Sequence, residues 1–346
     1  FAVPIPDEEL ESVPYYHPGE DSEEARYLLE RRQALGGFIP QRRREDGVIE
    51  APSMEQFESL LKASGDREFS TTMAFVRFLS LLLRDKRIAD RIVPIVADEA
   101  RTFGMEGMFR QLGIYSSVGQ LYDPVDSDQL MFYKEDQKGQ ILQEGITEAG
   151  AMSSWIAAAT SYSASAVTMI PFFIFYSMFG FQRVGDLAWA AGDLRARGFL
   201  VGGTAGRTTL NGEGLQHEDG NSHMMSGMIP NCVSYDPTFA YELAVILQDG
   251  MRRMYEDGED VFYYITVENE NYTHPAMPEG SEEGIRKGLY RLSQGGDNSK
   301  KVQLVGCGAI LREIMAAANI LEQDYGVSAD VWSATSFTEL RRDGVD

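Results

Sequence analysis

Short apolar runs alternate with stretches of helical periodicity from Ser70 onward, and this alternation predicts the architecture of the chain. A helix is predicted after Ser70-Thr71-Thr72, because serine is a good N-cap and the apolar residues that follow fall on one face. An amphipathic helix is predicted over 241–255. The apolar runs that form or lead into predicted buried strands are 92–97, 141–146, 168–176, 199–203, 231–234 and 261–266. Helices between short buried strands indicate βαβ units, so the predicted fold class is α/β with a parallel sheet.

The segment 149–182 contains no charged residue and has to be weighed as a possible membrane span. A spanning helix needs about 20 consecutive apolar residues, but this run of 34 residues is interrupted by serines, threonines and Pro171. The better interpretation is a small-residue helix over 149–162 followed by an apolar strand over 168–176. Strands buried on both faces of a parallel sheet read as continuous apolar runs. A membrane span is the weaker alternative.

The beginning of the chain differs in pattern from its middle. The first residues, to about position 45, are polar and interrupted by prolines, and a charged helix is predicted over 22–35 with Ser22 as its N-cap. Because the sequence begins at Phe1 rather than Met, we expect it to be a segment of a longer polypeptide.

The end of the chain predicts a second α/β unit. It starts with a strand at Lys301 and continues through Gly306-Cys307-Gly308, a helix to about residue 324 and a strand over 329–335. The polar residues 288–299 predict a loop at the boundary. The predicted division of the chain is therefore 1–69, 70–287 and 288–346.

The charge and the cysteine content exclude several classes of protein. The 346 residues contain 31 Lys+Arg and 53 Asp+Glu, a formal net charge of −22. This balance argues against a nucleic-acid partner and against an anionic membrane surface, because both are bound through Lys and Arg. Cys232 and Cys307 alone cannot form a disulfide scaffold and are too few for a cysteine zinc site. We expect a cytoplasmic protein without nucleic-acid or membrane partners.

Polar side chains that follow the predicted strands are the candidates for chemistry, because ligands of parallel α/β sheets bind beyond the carboxyl ends of the strands. The candidates are Asp98 and Glu99, Glu148, Tyr176 and Phe179, Glu213 and His217, and the segment 268–272.

Glu148 is the most informative of these, because it stands at the edge of the uncharged run. Burial without a neighbouring cation would raise the pKa of this carboxyl, so that it could be protonated and donate a hydrogen bond. The alternative is an ordinary acid at a helix N-terminus, favoured by the helix dipole. The residues alone favour this alternative.

The glycine-rich stretch 202–223 is the second candidate. Its glycines predict an irregular loop beside a ligand, and His217 with its acidic neighbours suits proton transfer near neutral pH. A metal site is weaker, because His217 and His223 lack helical i, i+4 spacing. A phosphate cradle is excluded by the lack of a P-loop or dinucleotide motif, and a plain surface loop stays possible.

Four stretches carry a specific resemblance to a known family. They are VADEARTFGMEGMFRQLGIYS (96–116), YKEDQKGQILQEGITE (133–148), PFFIFYSMFGFQRVGDLAWAAGD (171–193) and GGTAGRTTLNGEGLQHEDG (202–220). The chain closely resembles the homodimeric pyruvate dehydrogenase E1 components of the transketolase superfamily, over essentially its whole length. The resemblance implies a pyrimidine-binding parallel-sheet domain of transketolase type over 70–287. It also implies an arm from a preceding diphosphate-binding domain over 1–69 and the start of the C-terminal α/β domain over 288–346.

The resemblance also assigns roles to residues. The family's glutamate beside N1′ of the thiamine diphosphate aminopyrimidine falls on Glu148. When protonated, it would favour the imino tautomer whose 4′-nitrogen removes the thiazolium C2 proton. Tyr176 and Phe179 match the aromatic residues around the pyrimidine, and His217 is expected to orient substrate or transfer a proton. The remaining matches are Arg183 and Glu99 in the charged network, Asp98 and Ile146 near the cofactor, and Glu213 on the substrate side.

The implied activity is oxidative decarboxylation of pyruvate with reductive acetylation of the lipoyl group of the E2 acetyltransferase, by a homodimer. The superfamily's Gly-Asp-Gly motif for Mg²⁺ and diphosphate is absent from this sequence, and Asp219-Gly220-Asn221 does not replace it. The metal and diphosphate site is therefore expected outside the chain, which would hold the pyrimidine-side half of each active site and be inactive alone. The loop reads Asn221 where some relatives carry histidine. The alternatives are another 2-oxo acid dehydrogenase, a transketolase-like enzyme, or a non-catalytic split partner.

Overall fold

The computed structural model describes residues 4–38, 47–97, 100–206 and 215–345. The chain divides into two compact units, Phe1–Arg44 and Glu45–Asp346. The first unit contains helix α1 (Glu23–Ala34). The side chain of its N-cap Ser22 accepts a hydrogen bond from the Ala25 backbone N–H at 3.1 Å, which confirms the predicted capped helix.

The second unit alternates helices with strands. Its helices are α2 (Glu58–Leu61), α3 (Thr71–Leu82), α4 (Phe109–Leu112), α5 (Glu148–Ala159), α6 (Ser161–Ala164), α7 (Phe181–Asp193), α8 (Ser222–Ser226), α9 (Ala240–Met251), α10 (Glu282–Lys287), α11 (Gly308–Tyr325) and α12 (Phe337–Val345). Its strands are β1 (Ile92–Val96), β2 (Ile114–Tyr115), β3 (Glu135–Asp136), β4 (Leu142–Gln143), β5 (Ile170–Tyr176), β6 (Phe199–Gly203), β7 (Cys232–Tyr235), β8 (Phe262–Thr266), β9 (Tyr290–Ser293), β10 (Lys300–Gly306) and β11 (Val327–Ser333).

The main sheet confirms the parallel α/β architecture. Within the described part of the chain it has six parallel strands in the order β4-β1-β5-β6-β8-β7. Five of the predicted strand segments end within two residues of the observed ones. The sixth, predicted over 141–146, contains only the two-residue strand β4, which pairs with the end of β1.

The central strand β5 separates two layers of the core. Alternate side chains of a strand point to opposite faces of its sheet. Phe172 and Ile174 therefore join the cluster that includes α3 and α9, while Phe173 and Phe175 join the cluster that includes α5 and α7. Each of these four side chains is at most 3% exposed, and burying a side chain of this size stabilises a fold by roughly 1.5–3 kcal/mol. Cover on both faces explains why the strand lacks polar positions.

The uncharged run divides into the helix and the strand that its pattern predicts, with α5 covering 148–159 and β5 covering 170–176. Trp155 of α5 is fully buried, and its indole N–H donates to the carbonyl of Phe199 at 3.0 Å. Across the described ranges, none of the helices combines the length and the apolar character that crossing a bilayer requires.

The helix predicted over 241–255 is observed as α9 and a π-helical continuation, Arg252–Glu256, but the amphipathic pattern predicted for it was wrong over α9. Every residue of α9 except Gln248 is buried, including Glu242 and Asp249. Asp249 is 4% exposed, and its carboxylate accepts from Arg252 at 2.9 Å and from the Tyr263 hydroxyl at 3.0 Å. Glu242 and Asp249 of α9 are therefore internal hydrogen-bonding groups and do not form a solvent-facing side.

The prediction of a loop over 288–299 was also wrong in part, because this segment contains strand β9. It pairs antiparallel with β11, whose other edge pairs in parallel with β10. The predicted strand, turn and helix after Lys301 are confirmed as β10, the Gly306-Cys307-Gly308 turn and α11. Tyr290 in β9 is 5% exposed, so a single buried aromatic residue anchors a strand that otherwise looks polar.

Glu242 connects α9 to the strands β9 and β11. One carboxylate oxygen accepts from the backbone N–H groups of Thr238 and Phe239 at 2.6 and 2.9 Å. The other accepts from the Tyr290 and Ser333 hydroxyls, both at 2.6 Å. Burial raises the pKa of Glu242, while these four hydrogen bonds oppose the rise. A fully buried carboxylate without hydrogen bonds would be strongly destabilising, so the two hydroxyl donors, Tyr290 and Ser333, fix where β9 and β11 pack.

A second buried carboxyl lies at the N-terminus of α11. Glu268 is 2% exposed and, together with Asp236, lines a cavity of about 10 Å³. Gly308 has φ +49°, and a Cβ there would lie 2.8 Å from Asp236 Oδ2. Glycine at position 308 therefore lets the start of α11 approach the carboxylate of Asp236. Glu268 Oε2 has no hydrogen-bond partner among the residues that the structure describes.

Candidate active site

A cavity of about 330 Å³ lies beyond the carboxyl ends of β1 and β5. The two strands are neighbours in the sheet, and the helices that follow them bring further side chains to the same edge. The cavity is lined by Ala97, Phe103, Ile146, Glu148, Phe175, Tyr176, Phe179, Arg183 and His217. Carboxyl ends of adjacent strands are where parallel α/β proteins bind ligands.

Glu148 is the first residue of α5 and lies at the edge of this cavity. The N-cap of the helix is Thr147, whose hydroxyl accepts from the Gly150 backbone N–H at 3.3 Å. The Glu148 side chain is 13% exposed, and its Oε1 lies 2.6 Å from Arg183 Nη1. The carboxylate therefore has both a helix N-terminus and a guanidinium beside it. The premise of burial without a cation was wrong, because Arg183 reaches it from α7.

Aromatic rings line the cavity beside the ion pair. The rings of Tyr176 and Phe179 lie 5.9 Å apart, edge to face, and Phe103 approaches Tyr176 at 5.3 Å. The Arg183 guanidinium lies over the Phe179 ring at 4.2 Å. Edge-to-face pairs and a cation over a ring each add attraction beyond simple burial. These contacts hold the ring planes and the guanidinium in one fixed arrangement.

His217 completes the cavity from a separate loop. It ends a short 3₁₀ turn, Leu215–His217, and its imidazole lies 5.0 Å from both the Tyr176 and the Phe179 rings. The site therefore joins one carboxylate, one guanidinium, one imidazole and several aromatic faces. Such a set can enclose a flat heteroaromatic ring, hydrogen-bond a ring nitrogen and leave an imidazole for a second molecule.

Six of the predicted site residues thus come together around one cavity: Glu148, Ile146, Tyr176, Phe179, Arg183 and His217. Ile146 is 75% exposed and borders the opening. The other predicted site residues, Asp98, Glu99 and Glu213, lie outside the described residues.

Three lining residues were not predicted: Ala97, Phe103 and Phe175. Phe103 is 1% exposed, and a Cβ on Gly203 would meet its ring at 2.5 Å, so the glycine of β6 makes room for it. The glycine pair at the end of β6 is the only sequence signal that points to a bulky neighbour at this edge.

Comparisons with known proteins agree over the whole chain. The family model for the pyruvate dehydrogenase E1 component middle domain matches residues 49–275. The chain belongs to this family. A model for the transketolase-like C-terminal domain matches residues 288–346 of the same E1 family chain.

Curated E1 relatives are similar to the entire chain but are much longer. The pyruvate dehydrogenase E1 component of Pseudomonas aeruginosa is 66% identical over 346 residues, and that of Escherichia coli K12 is 61% identical over 348. Each match covers 100% of this chain and 39% of the relative. The chain therefore spans well under half the length of these E1 components.

Solved structures confirm the fold class of this E1 family chain. Transketolase from Leishmania mexicana matches with a TM-score of 0.63 at 17% identity, over 85% of this chain and 38% of that one. Transketolase from Campylobacter jejuni matches with a TM-score of 0.61 at 17% identity, over 93% of this chain and 41% of that one. A split gene transketolase, described as an inactive tetramer of four beta chains, matches with a TM-score of 0.51 at 16% identity, over 78% of this chain and 73% of that one. At these identities the likeness concerns the α/β transketolase-type fold alone.

Proposed function

We propose that this chain forms the pyrimidine-side half of the active site of a pyruvate dehydrogenase E1 component. The enzyme would decarboxylate pyruvate oxidatively with thiamine diphosphate and reductively acetylate the lipoyl group of its E2 acetyltransferase. One observation carries the proposal: Glu148, Arg183, His217 and the aromatic rings surround a single cavity beyond β1 and β5. The family membership and the 66% identity to a named E1 component support it.

The cavity fits the pyrimidine part of the cofactor but not its diphosphate. Its aromatic wall suits a flat aminopyrimidine ring, and a carboxyl beside that ring can hold a proton against a basic ring nitrogen. The cavity contains one guanidinium, which is already paired with Glu148. In the described ranges, no three His, Cys, Asp or Glu side chains are arranged to hold a metal ion. The Mg²⁺ and diphosphate site would therefore be supplied by another part of the enzyme.

When bound, thiamine diphosphate supplies the carbanion chemistry that a 2-oxo acid needs to lose carbon dioxide. In this proposal Glu148 holds a proton at N1′ of the aminopyrimidine, and Tyr176 and Phe179 bind the ring. Arg183 balances the charge of Glu148 whenever that proton leaves. His217 orients pyruvate or transfers a proton during its conversion, with Glu213 on the same side and with Asp98, Glu99 and Ile146 near the cofactor.

The enzyme would be a cytoplasmic homodimer, in which the pyrimidine-side half from one subunit faces the diphosphate-binding part of the other. The E2 lipoyl domain would then be the acyl acceptor. This arrangement predicts a simple binding result. The 346-residue chain alone should bind thiamine diphosphate and Mg²⁺ weakly, and adding the part of an E1 component that precedes the matched region should restore tight binding. Tight binding by the chain alone would contradict the divided site.

The replacement Glu148→Gln tests the role of the carboxyl. Removing a positioned proton donor lowers turnover by about 10²-fold or more, so we expect pyruvate decarboxylation to fall by at least that factor in the active enzyme. Glu144→Gln is the matched control. Glu144 lies four residues before Glu148. Its Oε1 accepts a hydrogen bond from the Ser154 hydroxyl at 2.5 Å, and its side chain does not line the cavity. Near-normal turnover in E148Q would refute the role assigned to Glu148. A separate comparison of turnover with pyruvate and with longer 2-oxo acids would identify a related 2-oxo acid dehydrogenase.

A further inference from the structure

His223 connects helix α8 to the main sheet. It comes six residues after His217, and its imidazole reaches two neighbouring strands. Nδ1 lies 2.6 Å from Ser234 Oγ in β7, and Nε2 lies 2.9 Å from Thr266 Oγ1, the last residue of β8. The ring of Tyr264 packs against the imidazole at 5.2 Å.

The hydrogen-bond network defines the tautomer of His223. Thr266 Oγ1 lies 2.6 Å from Asp236 Oδ1 and 3.3 Å from the carbonyl oxygen of Tyr235, and both can only accept a hydrogen bond from it. The single hydroxyl hydrogen of Thr266 is therefore committed to one of them, and Thr266 Oγ1 must accept from Nε2–H of His223. In the neutral imidazole Nδ1 then accepts from the Ser234 hydroxyl. This assignment comes from the network and not from observed hydrogens.

The chain between His217 and His223 is held at a second point by Asp219. Its Oδ1 accepts from the backbone N–H groups of Asn221 and Ser222, both at 3.0 Å, and its Oδ2 accepts from the Ser222 hydroxyl. Asp219 is 4% exposed. Asp219 thus ties the chain after His217 to the first residues of α8, so that a fixed α8 restrains the turn that carries His217.

We propose that His223 is a positioning residue, which fixes α8 on β7 and β8 and thereby holds His217 against Tyr176 and Phe179. The chain of hydrogen bonds Ser234–His223–Thr266–Asp236 is the device that does this. The consequence for turnover rests on the proposed role of His217, whereas the positioning itself does not. Placement errors of about 1 Å can cost a factor of about 10² in rate.

Two substitutions and a matched control separate positioning from general loss of stability. His223→Phe removes both hydrogen bonds, while His223→Gln keeps an amide N–H that can donate to Thr266 in place of Nε2–H. The control is His274→Phe. His274 is 2% exposed, its Nδ1 accepts from the Ala240 backbone N–H at 3.1 Å, and its Nε2 lies 2.9 Å from the Phe69 carbonyl, away from the cavity.

The decisive measurement is NMR of the imidazole nitrogens in the 346-residue chain labelled with ¹⁵N-histidine, which has four histidines. We expect His223 to show the Nε2–H tautomer, the His217 signal to move in H223F but not in H274F, and H223Q to restore it. In the active enzyme H223F should lower kcat/KM for pyruvate about tenfold to a hundredfold. An Nδ1–H tautomer, or an unmoved His217 signal in H223F, would overturn the proposal. A wild-type enzyme without pyruvate turnover would instead contradict the proposed function, because the NMR result does not depend on it.

Discussion

Replacing Glu268 by glutamine should remove a pH-dependent weakness in the fold. Glu268 follows β8, and its carboxyl is enclosed by Asp236 and the start of α11. Burial, followed by the negative charges of Asp236 and Glu270, raises its pKa from 4.5 to about 8, and Arg312 opposes the rise. Arg312 is itself paired with Glu270 at 2.7 Å. The surroundings therefore favour a protonated Glu268 at neutral pH.

The sign and the size of the effect follow from proton linkage. Because the pKa of Glu268 is higher in the folded state than in the unfolded chain, the folded state binds more protons between about pH 4.5 and 8. The contribution of Glu268 to the free energy of unfolding is complete below about pH 4.5 and is lost as the pH rises toward 8. Each pH unit in this window lowers the free energy of unfolding by about 1.4 kcal/mol, so that roughly 5 kcal/mol is lost across the whole window.

The assay is urea-induced unfolding of the wild type and of E268Q at about pH 5.5 and about pH 7.5. Between these conditions the wild type should lose roughly 2–3 kcal/mol relative to E268Q, whose amide does not titrate. Glu58→Gln is the control, because the Glu58 side chain is 65% exposed and pairs with Lys62 on the surface. Parallel pH profiles of the free energy of unfolding for the wild type and E268Q would refute the reasoning. So would an E58Q profile that departs from the wild-type profile as much as the E268Q profile does.

Two further predictions concern local backbone features. Ser70→Ala removes the side-chain cap that accepts from the Met73 backbone N–H at 3.1 Å, and should lower the free energy of unfolding by about 1 kcal/mol in a urea titration. Gly308→Ala should cost more than Gly326→Ala in the same titration. Both glycines have positive φ, which costs a β-carbon about 1–2 kcal/mol, but only Gly308 would place that carbon 2.8 Å from Asp236 Oδ2. Equal losses in the two alanine variants would contradict this.

The regular elements could be predicted from the sequence wherever burial alone decides the pattern. The strand β6 was predicted with its observed bounds, and Ser70 and Ser22 were predicted as the caps that the structure shows. Local signals sufficed there, because a cap and the residue it binds are three positions apart. The helix α9 could not be predicted in the same way. Glu242 reads as a solvent-facing acid until Tyr290 and Ser333, 48 and 91 residues later, are brought to it.

The candidate site shows the same limit. Composition and spacing pointed to the ends of strands, but the role of Glu148 was open between two alternatives on the residues alone. The resemblance to a known family suggested its role and its network. The 2.6 Å pairing of Glu148 with Arg183, 35 residues away, needed coordinates, and so did the arrival of Phe103 in the cavity. Contacts between distant segments are set by the packing of the whole sheet and leave no periodic signal in the sequence.

The burial of Glu242 in α9 has a consequence for how the protein is made. The helix packs against α3, which precedes it by about 160 residues, and its Glu242 bonds to Ser333, which follows it by 91. During synthesis, which delivers the N-terminal part first, Glu242 leaves the ribosome long before Ser333, whose hydroxyl is one of the four donors to its buried carboxylate. A ribosome that stops ahead of Ser333 would release a chain in which this carboxylate lacks that donor, so the shortened chain should fold less stably than the 346-residue chain.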